Sequence, residues 1–228
     1  MRDSIDTGPE SAGRSGMPGG MKLVVLGATG ATGLEIVRQA IEHGHSVTAF
    51  VRSPKRLKPF EDRITVKQGN LLNSAELERV IKGHDAVLSG FGPRAPVSKD
   101  DANLLRQFAA ALASAMLHAG VRRVVVESVA FLFRDAIVPP AYLLGRLLFP
   151  GIVADASAME RAFGESELDW TIVRPPGLTD KPYTGKYRAR EGHLPRFGFT
   201  ISRADVANFM LKAVENHVSS RKVVGVCN

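Results

Sequence analysis

Lys22-Leu23-Val24-Val25-Leu26 runs straight into Gly27-Ala28-Thr29-Gly30-Ala31-Thr32-Gly33, and an apolar-periodic segment follows from Leu34 to Ile41. A short strand, a glycine turn and a helix are the three parts that a nucleotide pyrophosphate requires. Glycines keep the turn tight and let backbone N–H groups approach the phosphates, while the helix N-terminus supplies a partial positive charge. The spacing is G-x-x-G-x-x-G, not the simplest G-x-G-x-x-G, so its meaning rests on the strand and helix at its two sides. The alternative is a plain strand-to-helix turn in which glycines serve geometry alone. The flanking pattern favours a dinucleotide.

About twenty residues further on, chains that bind NAD carry an acidic residue for the ribose 2′-OH. Here Ser46-Val47-Thr48-Ala49-Phe50-Val51 reads as a second strand, β-branched and aromatic, and it ends at Arg52-Ser53-Pro54-Lys55-Arg56 with no carboxylate. A carboxylate would repel a 2′-phosphate, whereas an arginine pairs with it bidentately. A solvated basic loop is the competing explanation. Position favours NADP(H) over NAD(H).

The chain has 228 residues, 44% of them hydrophobic, which suits one domain with a full core. Residues 1–20 are rich in Gly, Ser and Pro and lack the apolar centre of a signal peptide, so a disordered leader is expected there, with the folded domain over 21–228. No stretch reaches the roughly 20 apolar residues of a membrane span; Tyr142 to Val153 is apolar but short, and Arg146 and Pro150 interrupt it. The single cysteine, Cys227, forbids an internal disulfide and excludes a cysteine-based zinc site. A cytoplasmic protein is the default. The net charge of +7 comes from scattered residues, not from a basic helix or a stripe interleaved with aromatics. It suits an anionic cofactor and substrate better than nucleic acid.

Strand-like and helix-like segments alternate along the whole chain. Strands are expected at Ile64–Gln68, Asp85–Gly90, Val121–Glu127, Trp170–Val173 and Lys222–Val226. Helices are expected from Asn73 to Ile81, Asp101 to Ala119, Asp155 to Phe163 and Ser202 to Glu215, the first and last with capping-box signals. That alternation predicts an α/β fold, a Rossmann-type doubly wound parallel sheet with helices on both faces. Ligands in such a sheet sit beyond the carboxyl ends of the strands. The informative residues are therefore Asn70 and Leu71, Ser89 to Arg94, Ser128, and Arg174-Pro175-Pro176. Asn70 faces either an adenine edge or its own turn. Gly90 and Gly92 either admit the cofactor or shape a turn.

With these strand ends in place, the chain resembles the atypical, NmrA-like short-chain dehydrogenases that bind NADP, and within them the biliverdin-IX-beta reductase/flavin reductase family. The matching segments are Gly27–Gly33, Val51–Leu57, Gly69–Leu72, Asp85–Leu88, Ala130–Leu132, Val138–Pro140, Ser166–Pro176, Thr184–Tyr187 and Ile201–Leu211. The resemblance implies an NADPH-dependent reductase of flavins, quinones or linear tetrapyrroles. It implies cofactor contacts at Gly27, Thr29, Gly30, Ala31, Thr32 and Gly33, with Arg52 and Arg56 near the 2′-phosphate. Asn70, Leu71, Gly92 and Arg94 match further cofactor positions, Asn70 standing where an Asp is more usual.

Proton donors are scarce by comparison. Alcohol-oxidising relatives use Tyr-x-x-x-Lys, the Lys lowering the Tyr pKa. Here Tyr142 is followed by Arg146 in a Leu-rich run that looks like packing or a loop. The flavin-reductase Ser and His align with Val129 and Ala156. Ser128 is the one hydroxyl at that strand end, a candidate partner for the nicotinamide amide or the substrate. Glu160 is the nearest titratable replacement for the His, although a solvated helix position is expected for it. None of the six histidines has an evident partner along the chain, and no metal-binding spacing such as H-E-x-x-H exists, so no metal is expected. Hydride transfer belongs to the cofactor, and flavins or quinones can take their proton from solvent.

Overall fold

The computed structural model describes residues 20–92, 103–132 and 150–228. Its strands are β1 (Lys22–Leu26), β2 (Ser46–Val51), β3 (Thr65–Gln68), β4 (Ala86–Ser89), β5 (Arg123–Glu127), β6 (Asp169–Arg174), β7 (Gly177–Thr179), β8 (Arg188–Glu191), β9 (Thr200–Ser202) and β10 (Lys222–Cys227). Its longer helices are α1 (Ala31–Glu42), α2 (Ser74–Ile81), α3 (Leu104–Ala119), α4 (Pro150–Glu165) and α5 (Arg203–Glu215). The main sheet has the order β3-β2-β1-β4-β5-β6-β10-β8.

The core explains why the central strands read as unbroken apolar runs. Leu23, Val25 and Val125 point to one face, packing with Ile36 and Val37 of α1 and Met210 and Val214 of α5. Val24, Leu26, Val124 and Val126 point to the other, packing with Phe108 and Leu112 of α3 and Phe163 of α4. Both faces of each strand are therefore covered, and alternation of polar and apolar residues disappears.

The doubly wound α/β fold is the one expected from the sequence, with three departures. The sheet is not wholly parallel, because β8 adds antiparallel to β10 at the edge. Its four residues, Arg-Ala-Arg-Glu, are all exposed, so no apolar periodicity announces a strand. Charge on an edge strand also discourages pairing with another chain. The second departure is the separate parallel pair of β7 and β9, three residues each and too short to leave a pattern. The third is α4, already helical at Pro150, five residues before the expected start.

Local signals act as expected at two helix starts. Asn73 accepts from the amides of Ala75 and Glu76, and Ser202 Oγ accepts from the amide of Asp205. The start of α3 is capped from a distance, by Asp155 of α4, whose carboxylate accepts from the amides of Leu105 and Arg106.

Candidate functional site

The glycine turn is closed by geometry that side chains would block. Gly27 has φ +69°, and the Gly30 amide donates to its carbonyl at 2.8 Å. A Cβ on Gly27 would lie 2.7 Å from the Phe91 nitrogen, just past β4, and one on Gly33 would lie 2.2 Å from the Gly27 carbonyl oxygen. Gly90 closes the cradle from the β4 side, where a Cβ would stand 3.2 Å from the Gly33 nitrogen. The glycines thus bring the first turn of α1 onto the ends of β1 and β4. No side chain caps α1 and no acid lies in its first turn. The amides of a first turn have no partner within the helix, so this end is open to an anion. Thr29 is half-buried and Ala31 exposed at the same turn.

The arginines stand beside it. Arg56, within a 3-10 turn over Lys55–Phe60, donates from Nη1 to the Thr29 carbonyl at 2.7 Å, which hinges a guanidinium on the glycine turn itself. Arg52 is exposed at the end of β2, and its carbonyl is held by Gln68 Nε2 at 3.0 Å. Asn70 Oδ1 accepts from the Leu72 amide at 3.0 Å and the Asn70 amide donates to Glu76 Oε2 at 2.8 Å, so Asn70 closes its own turn. Leu71 packs against the core on the α3 side. Gly92 is exposed with open space around it, and Arg94, Tyr142 and Arg146 lie outside the described residues.

Beyond β5 the chain stays zipped to the end of β6. The Ser128 amide donates to the Val173 carbonyl at 2.7 Å, and the Ala130 amide to the carbonyl of buried Pro175 at 3.1 Å. Ser128 is thereby fixed with its Oγ 2.5 Å from Glu160 Oε1, to which it donates. Glu160 also accepts from Arg174 Nε at 2.9 Å and pairs with Arg174 Nη2. The solvated position expected for Glu160 is thus overturned: its side chain is only 9% exposed. Its place on the inward face of α4, opposite the end of β6, is what buries it. The positions where the family has Ser and His, Val129 and Ala156, are half-buried and fully buried.

Glu127 occupies the other face of the same strand end. Thr32 Oγ1, in the first turn of α1, donates to its Oε1 at 3.3 Å. Burial pushes the Glu127 carboxyl up to about 7, against smaller opposing effects from the Thr32 hydrogen bond and the charge of Arg203. Sequence reading passed over this residue. Its signal was an acid closing a strand of three consecutive valines, at the carboxyl edge of the sheet.

The histidines also differ from expectation. His43 Nδ1 lies 2.6 Å and His45 Nε2 2.8 Å from Glu215 Oε1, and His84 Nε2 lies 2.9 Å from Thr48 Oγ1. Glu215 is 170 residues from His45 along the chain, which is why no local spacing revealed it.

Comparison with known proteins agrees with this geometry. A family model described as NAD(P)H-binding matches residues 27–217. A chloroplastic protein of Arabidopsis thaliana is 31% identical over 219 residues, covering 90% of this chain and 76% of that protein. A photosystem II assembly factor of Synechocystis is 26% identical, and the match covers 90% of this chain but only 62% of that protein. A short-chain dehydrogenase/reductase of Veillonella parvula, solved in complex with NADP, superposes with a TM-score of 0.73 at 20% identity over 91% of this chain and 94% of that one. A structure described as an anaerobillin reductase of Escherichia coli O157:H7 gives 0.71 at 19% identity, over 90% and 96%. No helix among the described residues is long and apolar enough to cross a membrane. The glycine cradle, its open helix end and the matched family model agree: the chain belongs to the NAD(P)H-binding family that the model describes, with a Rossmann fold.

Proposed function

We propose that this protein is an NADPH-dependent reductase of a flavin, a quinone or a related planar acceptor such as a linear tetrapyrrole. The observation that carries the preference for NADPH is Arg56, bonded to the Thr29 carbonyl beside the phosphate turn, with Arg52 following β2 and no carboxylate between them. NADPH, when bound, supplies the hydride. Gly27, Thr29, Gly30, Ala31, Thr32 and Gly33 hold the pyrophosphate, and Gly90 keeps the β4 end clear for it.

The acceptor class follows from what the strand-β5 corner offers. The Ser128 hydroxyl donates its hydrogen bond to Glu160, which leaves its lone pairs to accept from an amide or a substrate hydroxyl. Glu160, engaged by both Ser128 and Arg174, acts as an acceptor and a support. Glu127 is the carboxyl whose proton is available near neutrality. A hydride and one proton, from Glu127 or water, complete the reduction of a quinone or an oxidised flavin without a strong protein acid. The relative described as an anaerobillin reductase is consistent with this class.

The test is NADPH oxidation against a panel of flavins, quinones and linear tetrapyrroles. Turnover with at least one class is expected; none with any, from protein that binds NADP, overturns the reading. The alternative is a non-enzymatic NADP(H)-sensing regulator, favoured by the relative described as an assembly factor and by the aliphatic residues Val129 and Ala156. It requires equal affinity for oxidised and reduced cofactor and a stoichiometric protein partner.

A further inference from the structure

The edge of the sheet opposite the glycine turn carries a cluster that the cofactor does not use. We infer that His43, His45 and Glu215 form a binding site for a divalent transition cation of the zinc class. The three donor atoms, His43 Nδ1, His45 Nε2 and a Glu215 carboxylate oxygen, lie within 4.8 Å of one another. Two imidazole nitrogens and one carboxylate oxygen suit zinc, nickel or copper, and three protein ligands leave room for water at the remaining positions.

The backbone holds the donors in place. His43 caps the C-terminus of α1, Gly44 has φ +81°, and His45 leads into β2. The amides of His43, Gly44 and His45 donate to the carbonyls of Gln39, Ile41 and Ala40 at 2.9, 3.1 and 3.0 Å. Every amide of the His-Gly-His turn is thus committed, and the two rings sit with centroids 6.1 Å apart at 59°. The third donor, Glu215, is the last residue of α5, which packs along α1. The site would join the end of α1, the start of β2 and the end of α5.

Charge favours a cation. The Glu215 carboxylate brings the negative charge, and one of its oxygens already faces both imidazoles, 2.6 Å from His43 Nδ1 and 2.8 Å from His45 Nε2. Cationic neighbours on the same elements face other partners: Arg38 is held by Glu35 and Glu42, and Lys212 lies over the Tyr187 ring. Arg123 of β5 binds Asp169 and the carbonyls of Ala213 and Val218. One existing contact opposes binding. The Met21 amide donates to His45 Nδ1 at 3.2 Å, which puts the ring proton on Nε2. A metal at Nε2 moves that proton to Nδ1, so the Met21 amide must release.

The test uses the full chain without any histidine tag, titrated with zinc chloride at pH 7.5 against a chromophoric chelator. One zinc per chain is expected, with Kd in the micromolar range. At about 100 times Kd, the melting temperature should rise by roughly 5–10 °C. His43→Ala, whose side chain is partly exposed and whose loss leaves the fold intact, should weaken zinc at least about tenfold, and Glu215→Gln comparably. Cobalt(II) absorption supplies a second readout that depends on the imidazole ligands. NADP binding by both variants checks that they are folded. No saturable zinc binding below about 1 mM, or the same affinity in both variants as in the parent, overturns the proposal.

Discussion

Two glutamates at opposite edges of the same sheet are driven in opposite directions. At the carboxyl edge, Glu127 is half-buried with the Thr32 hydroxyl as its hydrogen-bond donor, and loss of solvent around it pushes it up to about 7. At the amino edge, Glu215 meets two imidazoles on a single oxygen and is pulled down to about 2. Glu127 is under-partnered beside an open helix end, the arrangement that makes a group ready to exchange a proton. Glu215 is over-partnered and tied to a turn whose amides are all satisfied. The carboxyl edge gives up stability to stay open, and the amino edge gains it by pairing.

The most severe way to break the carboxyl edge is Gly33→Ala. Its Cβ would meet the backbone at 2.2 Å, so α1 must shift away from the turn. NADP affinity measured calorimetrically should fall about 100-fold or more, close to 3 kcal/mol; retained affinity would mean that the turn is not the pyrophosphate site. Next is Arg52→Asp, expected to cost roughly 1.5–3 kcal/mol of NADPH binding while NADH changes little, as a charge-assisted phosphate contact predicts. Equal losses for the two cofactors would remove the 2′-phosphate assignment.

The third experiment compares the two acids directly. Glu127 is raised in the folded state from 4.5 to about 7, so its contribution is present below pH 4.5 and is lost as pH rises through 7. Glu127→Gln should therefore gain roughly 1–3 kcal/mol at pH 8 and nothing at pH 4, read from urea midpoints. Glu215 works with the opposite sign. Its pKa is depressed, so its stabilisation is present above pH 4.5 and is lost as pH falls towards 2. Because this carboxylate is partly exposed, Glu215→Gln without added metal should cost only about 1–2 kcal/mol at pH 7, vanishing near pH 2. Matching slopes for the two variants would erase the contrast between the edges.

How much of this was legible in the chain depends on how local each cause is. Leu23 to Gly33 carries strand, turn and helix start within a dozen residues, and Asn73 with Glu76 carries a helix cap within four. Strands β7, β8 and β9 left no trace, being three or four residues long or exposed throughout. Glu160 looked solvated because its helix, taken alone, does not say which face meets β6. The histidines looked partnerless because Glu215 arrives from the far end of the chain.

The order of the longer elements, the glycine cradle, the basic end of β2 and the family were set by the sequence itself, because each rests on contacts between near neighbours or on a run of apolar residues. Tertiary structure alone decided the state of the acids. Whether Glu127, Glu160 and Glu215 are buried, and whether a hydroxyl, a guanidinium or two imidazoles reach them, depends on residues from 14 to 172 positions away. A carboxyl's chemistry is fixed by what surrounds it, and only the folded chain supplies the surroundings.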